Sequence, residues 1–208
     1  FESWGNSWLH MRKNLGKLVC NIIKYLIILI IVFSSSNIHA TDYTISDGTT
    51  QTSRVTLTNS DTLTIAEGGT LNYYWPAVDA DNRTFSSGTT QVTNGGTITG
   101  AGYLVDFRSS TNATLVNNGT MTATSSSRAL YINNSDNTTI TNTGTIQISD
   151  SNAYEAIDGD STTDLTITNS GTISSAGDDA IAIASAEDVT ITNTGTISAA
   201  DDNIIDAD

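Results

Sequence analysis

The amino-acid sequence predicts an all-β protein, a right-handed parallel β-helix (solenoid) preceded by a helical signal peptide. A glycine-centred phrase occurs six times, as in Ile191-Thr-Asn-Thr-Gly195-Thr-Ile197. Successive glycines of the phrase are 27, 23, 25, 27 and 24 residues apart, a period typical of solenoids. No apolar stripe of helical period occurs in the repeats. A β-propeller is the competing repeat architecture, but its blades repeat at about 40 residues or more.

Each repeat carries two apolar positions, four residues before the glycine and two residues after it. Thr and Ser fill most positions between them, and this alternation is typical of strands with one buried face. If each repeat is one turn of a solenoid, equivalent residues stack about 4.8 Å apart. The expected core columns are Ile65, Val92, Leu115, Ile140, Ile167 and Ile191, and Leu71, Ile98, Met121, Ile146, Ile173 and Ile197.

An asparagine lies two residues before the glycine in five of the six repeats. Stacked amides can donate to the neighbour on one side and accept from the neighbour on the other. The sequence therefore predicts a structural ladder of Asn94, Asn117, Asn142, Asn169 and Asn193. Asparagine and glycine also tolerate positive φ, so the chain is expected to bend at these positions.

The N-terminal 40 residues have the pattern of a targeting segment. Met11 is interpreted as the start of translation, so residues 1–10 are an upstream or unstructured extension. Residues 11–40 combine basic residues, a nine-residue apolar run at 25–33 and a small-residue end at Ala40, as in a signal peptide. The expected partner is secretion machinery, and an uncleaved membrane anchor is the alternative.

The remaining chain divides into a cap and a stack of rungs. Residues 41–60 are expected to cap the solenoid, and residues 61–208 to form rungs of about three strands each. The sequence stops within a repeat, so we expect a fragment truncated at its C-terminus. Residues 72–91 form a longer excursion that includes Tyr73-Tyr-Trp-Pro76. Packing of these aromatics over the first rungs is favoured over a sugar-stacking surface.

Charge and cysteine content restrict the function. Residues 41–208 contain four arginines, no lysine and 21 acidic residues, a formal charge of −17. Such a chain repels phosphates, so no nucleic acid is expected as a partner. Cys20 is the one cysteine, which excludes disulfides and thiolate sites from residues 41–208.

The repeated phrase, followed by Gly177-Asp-Asp-Ala-Ile-Ala-Ile183, resembles the repeats of autotransporter passenger domains. The resemblance implies a secreted, surface-displayed and non-catalytic protein, adhesin-like or a structural stalk, on a Gram-negative bacterium or released from it. It implies a surface glycan or another cell-surface ligand as partner. Contact with the outer membrane would come only through a C-terminal β-barrel beyond this sequence. A periplasmic or released solenoid without a barrel is the alternative.

A second resemblance concerns Gly177-Asp178-Asp179, which is similar to the Gly-Asp-Asp segment of polygalacturonase-type glycoside hydrolases. It implies that Asp178 and Asp179 protonate the glycosidic oxygen and activate water. That family's histidine-containing and lysine-containing segments have no counterpart here, since residues 41–208 contain neither residue. An enzyme is therefore the alternative, and a non-catalytic protein is the expectation.

Acidic residues recur near the start of one strand in successive repeats. We expect Asp158, Asp178 and Asp201 to lie near one edge of adjacent rungs. Because Ca²⁺ prefers oxygen ligands, calcium is the one cofactor that this arrangement suggests. A solvated acidic rim is the alternative interpretation.

Overall fold

The computed structural model describes residues 40–58, 60–80 and 89–208, which belong to one compact unit, His39–Asp208. The regular structure of these residues consists of β-strands. Within this part of the chain, no helix is long and apolar enough to cross a membrane. The extension at residues 1–10 and the signal peptide at 11–40, apart from Ala40, lie outside the described residues.

Three parallel sheets of seven strands each form the described fold. Sheet A contains β1 (Asp42–Ile45), β4 (Thr62–Ile65), β7 (Thr90–Asn94), β10 (Ala113–Asn117), β13 (Asp136–Asn142), β16 (Thr163–Asn169) and β19 (Thr190–Asn193). Sheet B contains β2 (Thr50–Gln51), β5 (Thr70–Asn72), β8 (Thr97–Gly100), β11 (Thr120–Ala123), β14 (Thr145–Ile148), β17 (Thr172–Ser175) and β20 (Thr196–Ala199). Sheet C contains β3 (Val55–Thr56), β6 (Val78–Asp79), β9 (Val105–Asp106), β12 (Leu130–Tyr131), β15 (Ile157–Asp158), β18 (Ile181–Ala182) and β21 (Ile205–Asp206).

The chain visits sheets A, B and C in turn and then returns to sheet A one rung further along. This order makes a parallel β-solenoid of the right-handed type, as the repeat predicted. Residues 41–60 supply the first strand of every sheet, so this segment is itself a rung. The excursion at 72–91 contains a further rung strand, β6, which pairs with β3 and β9.

The core consists of apolar columns that run along the solenoid axis. In sheet B, Leu71, Ile98, Met121, Ile146, Ile173 and Ile197 stack in successive strands. Ile173 is fully buried between Ile146 and Ile197. A third column, in sheet C, is formed by Val55, Val78, Val105, Leu130, Ile157, Ile181 and Ile205.

The sheet A column differs from the sequence alignment at one rung. Val92 pairs with Leu63, whereas Ile65 pairs with Asn94. Ile65 is buried, but it lies in the column that the asparagines occupy in later rungs. The cause is the corner between sheets A and B. Four residues, 66–69, form this corner after β4, but only Gly95 and Gly96 form it after β7, so alignment on the glycine displaced the register by two residues.

The corner glycines are required by the close approach of successive rungs, not by backbone φ. Among the described glycines, only Gly48 has a φ in the left-handed region, at 70°. A Cβ added to Gly119, Gly144, Gly171 or Gly195 would lie 2.0–2.1 Å from the carbonyl oxygen of the preceding corner glycine. The expectation of a bend through positive φ at these positions was therefore wrong.

Left-handed residues lie instead in the connection from sheet C to sheet A and at the start of some sheet A strands. Two of them occur three residues apart in four successive rungs, at Ser109 and Asn112, Asn134 and Asn137, Ser161 and Asp164, and Ser185 and Asp188. Their φ values lie between 50° and 57°. Asn and Asp tolerate this conformation better than most residues, which explains the recurrence of short polar side chains there.

The five asparagines of sheet A form a continuous hydrogen-bonded ladder. The Nδ2 of each donates to the Oδ1 of the next, at 2.8 Å from Asn94 to Asn117, 2.7 Å from Asn117 to Asn142 and 2.7 Å from Asn142 to Asn169. The last bond, from Asn169 to Asn193, is 2.8 Å. The Nδ2 of Asn142 also donates to Thr172 O at 3.0 Å, so each amide ties a strand of sheet A to the next corner.

We predict that Gly144→Ala destabilises the fold by about 3 kcal/mol or more, since its Cβ would lie 2.0 Å from Gly119 O and the rungs would have to separate. Gly159→Ala is the matched control, because its nearest contact is the flexible Leu165 side chain at 3.0 Å. Chemical denaturation of both variants measures the difference. Equal losses would show that rung spacing at the corner is not limiting.

We also predict that Asn142→Ala costs roughly 1–3 kcal/mol, because the buried Asn169 Oδ1 loses its amide donor. Asn193→Ala is the control in the same column, because its side chain is exposed and the Asn169 amide keeps Thr196 O as an acceptor at 3.1 Å, so the expected change is within about 0.5 kcal/mol. Thermal melts of the two variants test the ladder. If Asn142→Ala is as mild as Asn193→Ala, the ladder does not contribute to stability.

Candidate functional site

The two aspartates of the Gly-Asp-Asp segment precede β18, and they have different surroundings. Asp179 is buried, and its Oδ1 accepts the backbone N–H of Asn203 at 2.7 Å. Asp160 makes the same kind of bond, from Oδ1 to the N–H of Ala184 at 2.8 Å. Both carboxylates hold the backbone of the next rung, which gives Asp179 a structural role that the sequence did not indicate.

Carboxylate oxygens of Asp178, Asp179 and Asp202 lie within 4.8 Å of one another, close enough to share a metal ion. Asp201 lines the same shallow depression as Asp178. The calcium set expected from the sequence included Asp158, which does not belong to this group. Asp158 lies inside β15, opposite Ala182 of β18, whereas Asp178 lies before β18 begins. The acidic residues recur at different offsets from the strand, so they do not form one column.

Burial raises the pKa of Asp179, and the charges of Asp178, Asp202 and Asp206 raise it further. The bond from Asn203 acts in the opposite direction but is outweighed. The ionised Asp179 therefore costs stability in the folded state at neutral pH. This cost comes first from burial of the carboxylate and second from the like charges of Asp178, Asp202 and Asp206.

A second cluster lies on the outer side of sheet C, where aromatic and arginine side chains alternate along the solenoid axis. We call it the aromatic–arginine strip. Its members are Arg54, Trp75, Asp79, Tyr103, Asp106, Arg108, Arg128, Tyr131, Tyr154, Glu155 and Asp158. Arg54, Arg108 and Arg128 are the arginines of the described residues, and all three belong to the strip.

The rings and guanidinium groups of the strip form a continuous stack. Trp75 meets Tyr103 edge to face at 5.6 Å, and Tyr103 lies 4.7 Å from Tyr131, between ring centroids. The Arg108 guanidinium lies 4.6 Å from the Tyr131 centroid. The Arg128 guanidinium lies 4.8 Å from the Tyr131 centroid and 4.6 Å from that of Tyr154. Such cation–π contacts are stronger where water is partly excluded.

Carboxylates neutralise the arginines of the strip. Arg128 Nε lies 2.8 Å from Glu155 Oε2 and 2.6 Å from Asp158 Oδ2. Arg108 pairs with the buried Asp106, at 2.7 Å between Nη2 and Oδ2. Arg54 pairs with Asp79 at 3.0 Å. Three positive charges therefore face four negative ones, and the strip is nearly neutral in a chain of strongly negative charge.

Burial is the main cause of the pKa shifts of the two carboxylates that pair with Arg128. It raises the pKa of Glu155 and of Asp158, although Arg128 acts to lower both. Burial also lowers the pKa of Arg128, but Glu155 and Asp158 more than compensate and the net change is upward. Removal of Arg128 would leave the buried Asp158 and the half-buried Glu155 without their cation, which is a costly arrangement.

Three exposed aromatics lie in or beside the strip. Tyr74 is 72% exposed, Trp75 52% and Tyr154 50%. The sequence favoured packing of the aromatic cluster over the first rungs. Tyr73 packs against the core, and Trp75 lies over Gly102 but stays half exposed, whereas the expectation is wrong for Tyr74. Tyr74, Trp75 and Tyr154 line a cleft of about 250 Å³ together with Arg128 and three serines. A second cleft of about 300 Å³ lies on the other side of Trp75, beside Arg54, Asp79 and Arg108.

Sequence reasoning found Trp75 but missed the strip as a unit. Its members lie in or beside the short strands of sheet C, after loops of variable length. The strip could have been found from the number of residues that separate its members from the apolar column of sheet C. Tyr103 and Arg128 each lie two residues before the apolar residue of their rung, Val105 and Leu130.

No protein-family model, no curated protein and no solved structure matches this chain. The function is therefore argued from the site itself and from general chemistry.

We predict that Asp179→Asn raises the melting temperature at neutral pH, because the amide can still accept from Asn203 while the charge disappears. The wild-type chain should gain stability as pH falls from above the raised pKa toward the ordinary one, so the advantage of the variant should vanish near pH 3–4. Melts across this range test the sign.

Asp201→Asn is the matched control, since it removes the same charge from an exposed residue of the same depression. It should change the melting temperature much less. A variant Asp179→Asn that melts lower than wild type at every pH would contradict the burial argument.

Proposed function

We propose that the chain is a non-enzymatic adhesive solenoid displayed outside the cell, and that the aromatic–arginine strip is its adhesive surface. The observation that carries this proposal is the clustering of exposed aromatics. Of the six exposed large apolar side chains among the described residues, Tyr74, Trp75 and Tyr154 line one cleft. Aromatic side chains with polar neighbours are typical of binding surfaces, where they contribute large contact area.

The strip is also a preformed surface. Strand pairing on both sides fixes the backbone of β9, β12 and β15. Stacking between arginines and tyrosines then fixes the side chains above those strands. A ligand that binds there orders few groups, which reduces the entropic cost of association.

Display outside the cell is proposed on two grounds. The repeated phrase resembles autotransporter passenger repeats, and residues 11–40 have the pattern of a signal peptide. A solenoid folds through contacts between neighbouring rungs, so it can assemble progressively as it leaves a membrane pore. The absence of cysteine from residues 41–208 means that no disulfide hinders such passage. We propose that the chain acts as a passenger of this kind.

Adhesion of beads coated with the full chain tests the proposal without assuming a ligand. Beads are applied to epithelial cell layers, bacterial cells and polysaccharide films. We expect adhesion to at least one surface, and loss of most of it in the double variant Trp75→Ala, Tyr154→Ala. Tyr43→Ala is the matched control, because Tyr43 is 37% exposed but lies in β1 of sheet A.

The control should adhere as the wild type does. Adhesion no greater than that of uncoated beads would overturn the proposal. Full adhesion by the double variant would show that the strip is not the adhesive surface.

A further inference from the structure

The cleft beside Trp75 owes its shape to four positions in register. In sheet C, Val78, Val105, Leu130 and Ile157 stack in successive rungs. The residues three positions earlier are Trp75, Gly102, Ser127 and Tyr154. Two aromatic side chains therefore flank two small ones. Because rungs are about 4.8 Å apart, the Trp75 and Tyr154 backbones are separated by about 14 Å along the axis.

Gly102 fixes the place of the Trp75 ring. A Cβ added to Gly102 would lie 2.4 Å from both Cβ and Cδ1 of Trp75, so this tryptophan lies directly over the glycine. Its ring also contacts Tyr103 edge to face. The indole is thus held at one end of the cleft, yet it remains 52% exposed and available to a ligand.

The opposite end is formed by Tyr154, whose ring stacks on the Arg128 guanidinium. Hydroxyl and backbone groups of Ala101, Ser125 and Ser126 line the cleft between the two aromatics. Ser125 Oγ donates to Ala101 O, which orders this part of the lining. The cleft therefore combines two apolar ring surfaces with hydrogen-bonding groups between them.

Size and charge restrict the ligand. A volume of about 250 Å³ is below the range of roughly 300–1,000 Å³ typical of drug-sized ligands, so a small ring compound fits better. The only cationic group of the lining, Arg128, is already held by Glu155 and Asp158. An anionic ligand would have to compete with these carboxylates and with the negative field of the chain.

We propose that this cleft binds a neutral pyranose, either free or at the end of a glycan. A pyranose has an apolar face of C–H groups that matches an indole or phenol ring, and an edge of hydroxyl groups that can both donate and accept. The apolar face lies against Trp75 or Tyr154, and the hydroxyl edge meets the serine and backbone groups between them. This assignment rests on the proposed function and names the ligand class of the same site.

Tryptophan fluorescence of the purified full chain tests the assignment, in buffer free of sugar-headed detergents. The methyl glycosides of glucose, galactose and mannose are titrated, each beside the uronic acid of the same sugar. We expect at least one neutral glycoside to give a saturable change in emission. Trp4 and Trp8 also emit, so Trp75→Phe serves to identify the signal of Trp75.

Calorimetry of variants then locates the site. Tyr154→Ala removes one aromatic wall, and Ser126→Leu fills the cleft from an exposed position without removing a core contact. Each should weaken binding at least tenfold, which corresponds to about 1.4 kcal/mol. Tyr43→Ala should leave the affinity unchanged. Circular dichroism confirms that each variant is folded.

Three results would overturn the inference: no saturable response to any neutral glycoside, tighter binding of the uronic acids, or unchanged affinity in Ser126→Leu. The bead adhesion assay and the glycoside binding assay can fail independently of each other. If coated beads adhere but no glycoside binds, the adhesive function stands and the strip recognises another class of ligand, such as a protein. If glycosides bind but beads do not adhere, the saccharide site stands without the adhesive role.

Discussion

Successive rungs approach one another so closely at the corner between sheets A and B that only a hydrogen atom fits beside the carbonyl oxygen of the rung before. The corner glycines from Gly96 to Gly195 meet this condition, each within 2.0–2.2 Å of a carbonyl oxygen if a Cβ were added. This spacing is the spacing of hydrogen-bonded strands. Because the corners are held at this distance, the remaining strand positions of successive rungs also stack in register. The apolar columns and the asparagine ladder therefore follow from the same constraint.

The close approach at the corner restricts sheets A and B more than sheet C, and this difference explains where binding residues can accumulate. Sheet A holds the asparagine ladder, and the corner joins it to sheet B. Sheet C has strands of two residues each, reached through loops of different length. Its outer side can therefore vary from rung to rung without disturbing the stack. Surface positions on a rigid scaffold are where binding groups are usually found, and the aromatic–arginine strip occupies such positions.

Much of the fold could be predicted from the sequence, because the glycine recurs at an equivalent position in most rungs and so identifies which residues stack. Alignment on the glycine placed Val92, Ile140 and Ile173 in their columns and Asn142 in its ladder. It failed at Ile65, where the corner is two residues longer and the glycine no longer marks the same distance from the strand. Local spacing could not reveal this, because only pairing with the next rung distinguishes Leu63 from Ile65.

The site was less predictable, since its residues are brought together by loops whose lengths differ. Trp75 and Tyr154 share a cleft although three rungs separate them. Their proximity depends on the small side chains between them, and no short motif encodes that. For the acidic residues, the sequence suggested a shared site that the structure does not form. Asp158 and Asp178 look equivalent in the sequence, yet one is bound to Arg128 and the other borders a separate depression.

The asparagine ladder also gives the solenoid a direction. All four amide bonds from Asn94 to Asn193 run the same way, with the N–H of one rung directed at the oxygen of the following rung. At the first rung of the ladder, the buried Asn94 Oδ1 has no donor, because Ile65 occupies the adjoining position. The column is thus a row of dipoles aligned head to tail, acceptor at one end and donor at the other. Strands β4 and β1 of sheet A cover the acceptor end at Asn94, whereas Asn193 at the donor end is exposed. The column can therefore be continued only beyond Asn193, by a rung that places an amide oxygen opposite its N–H group.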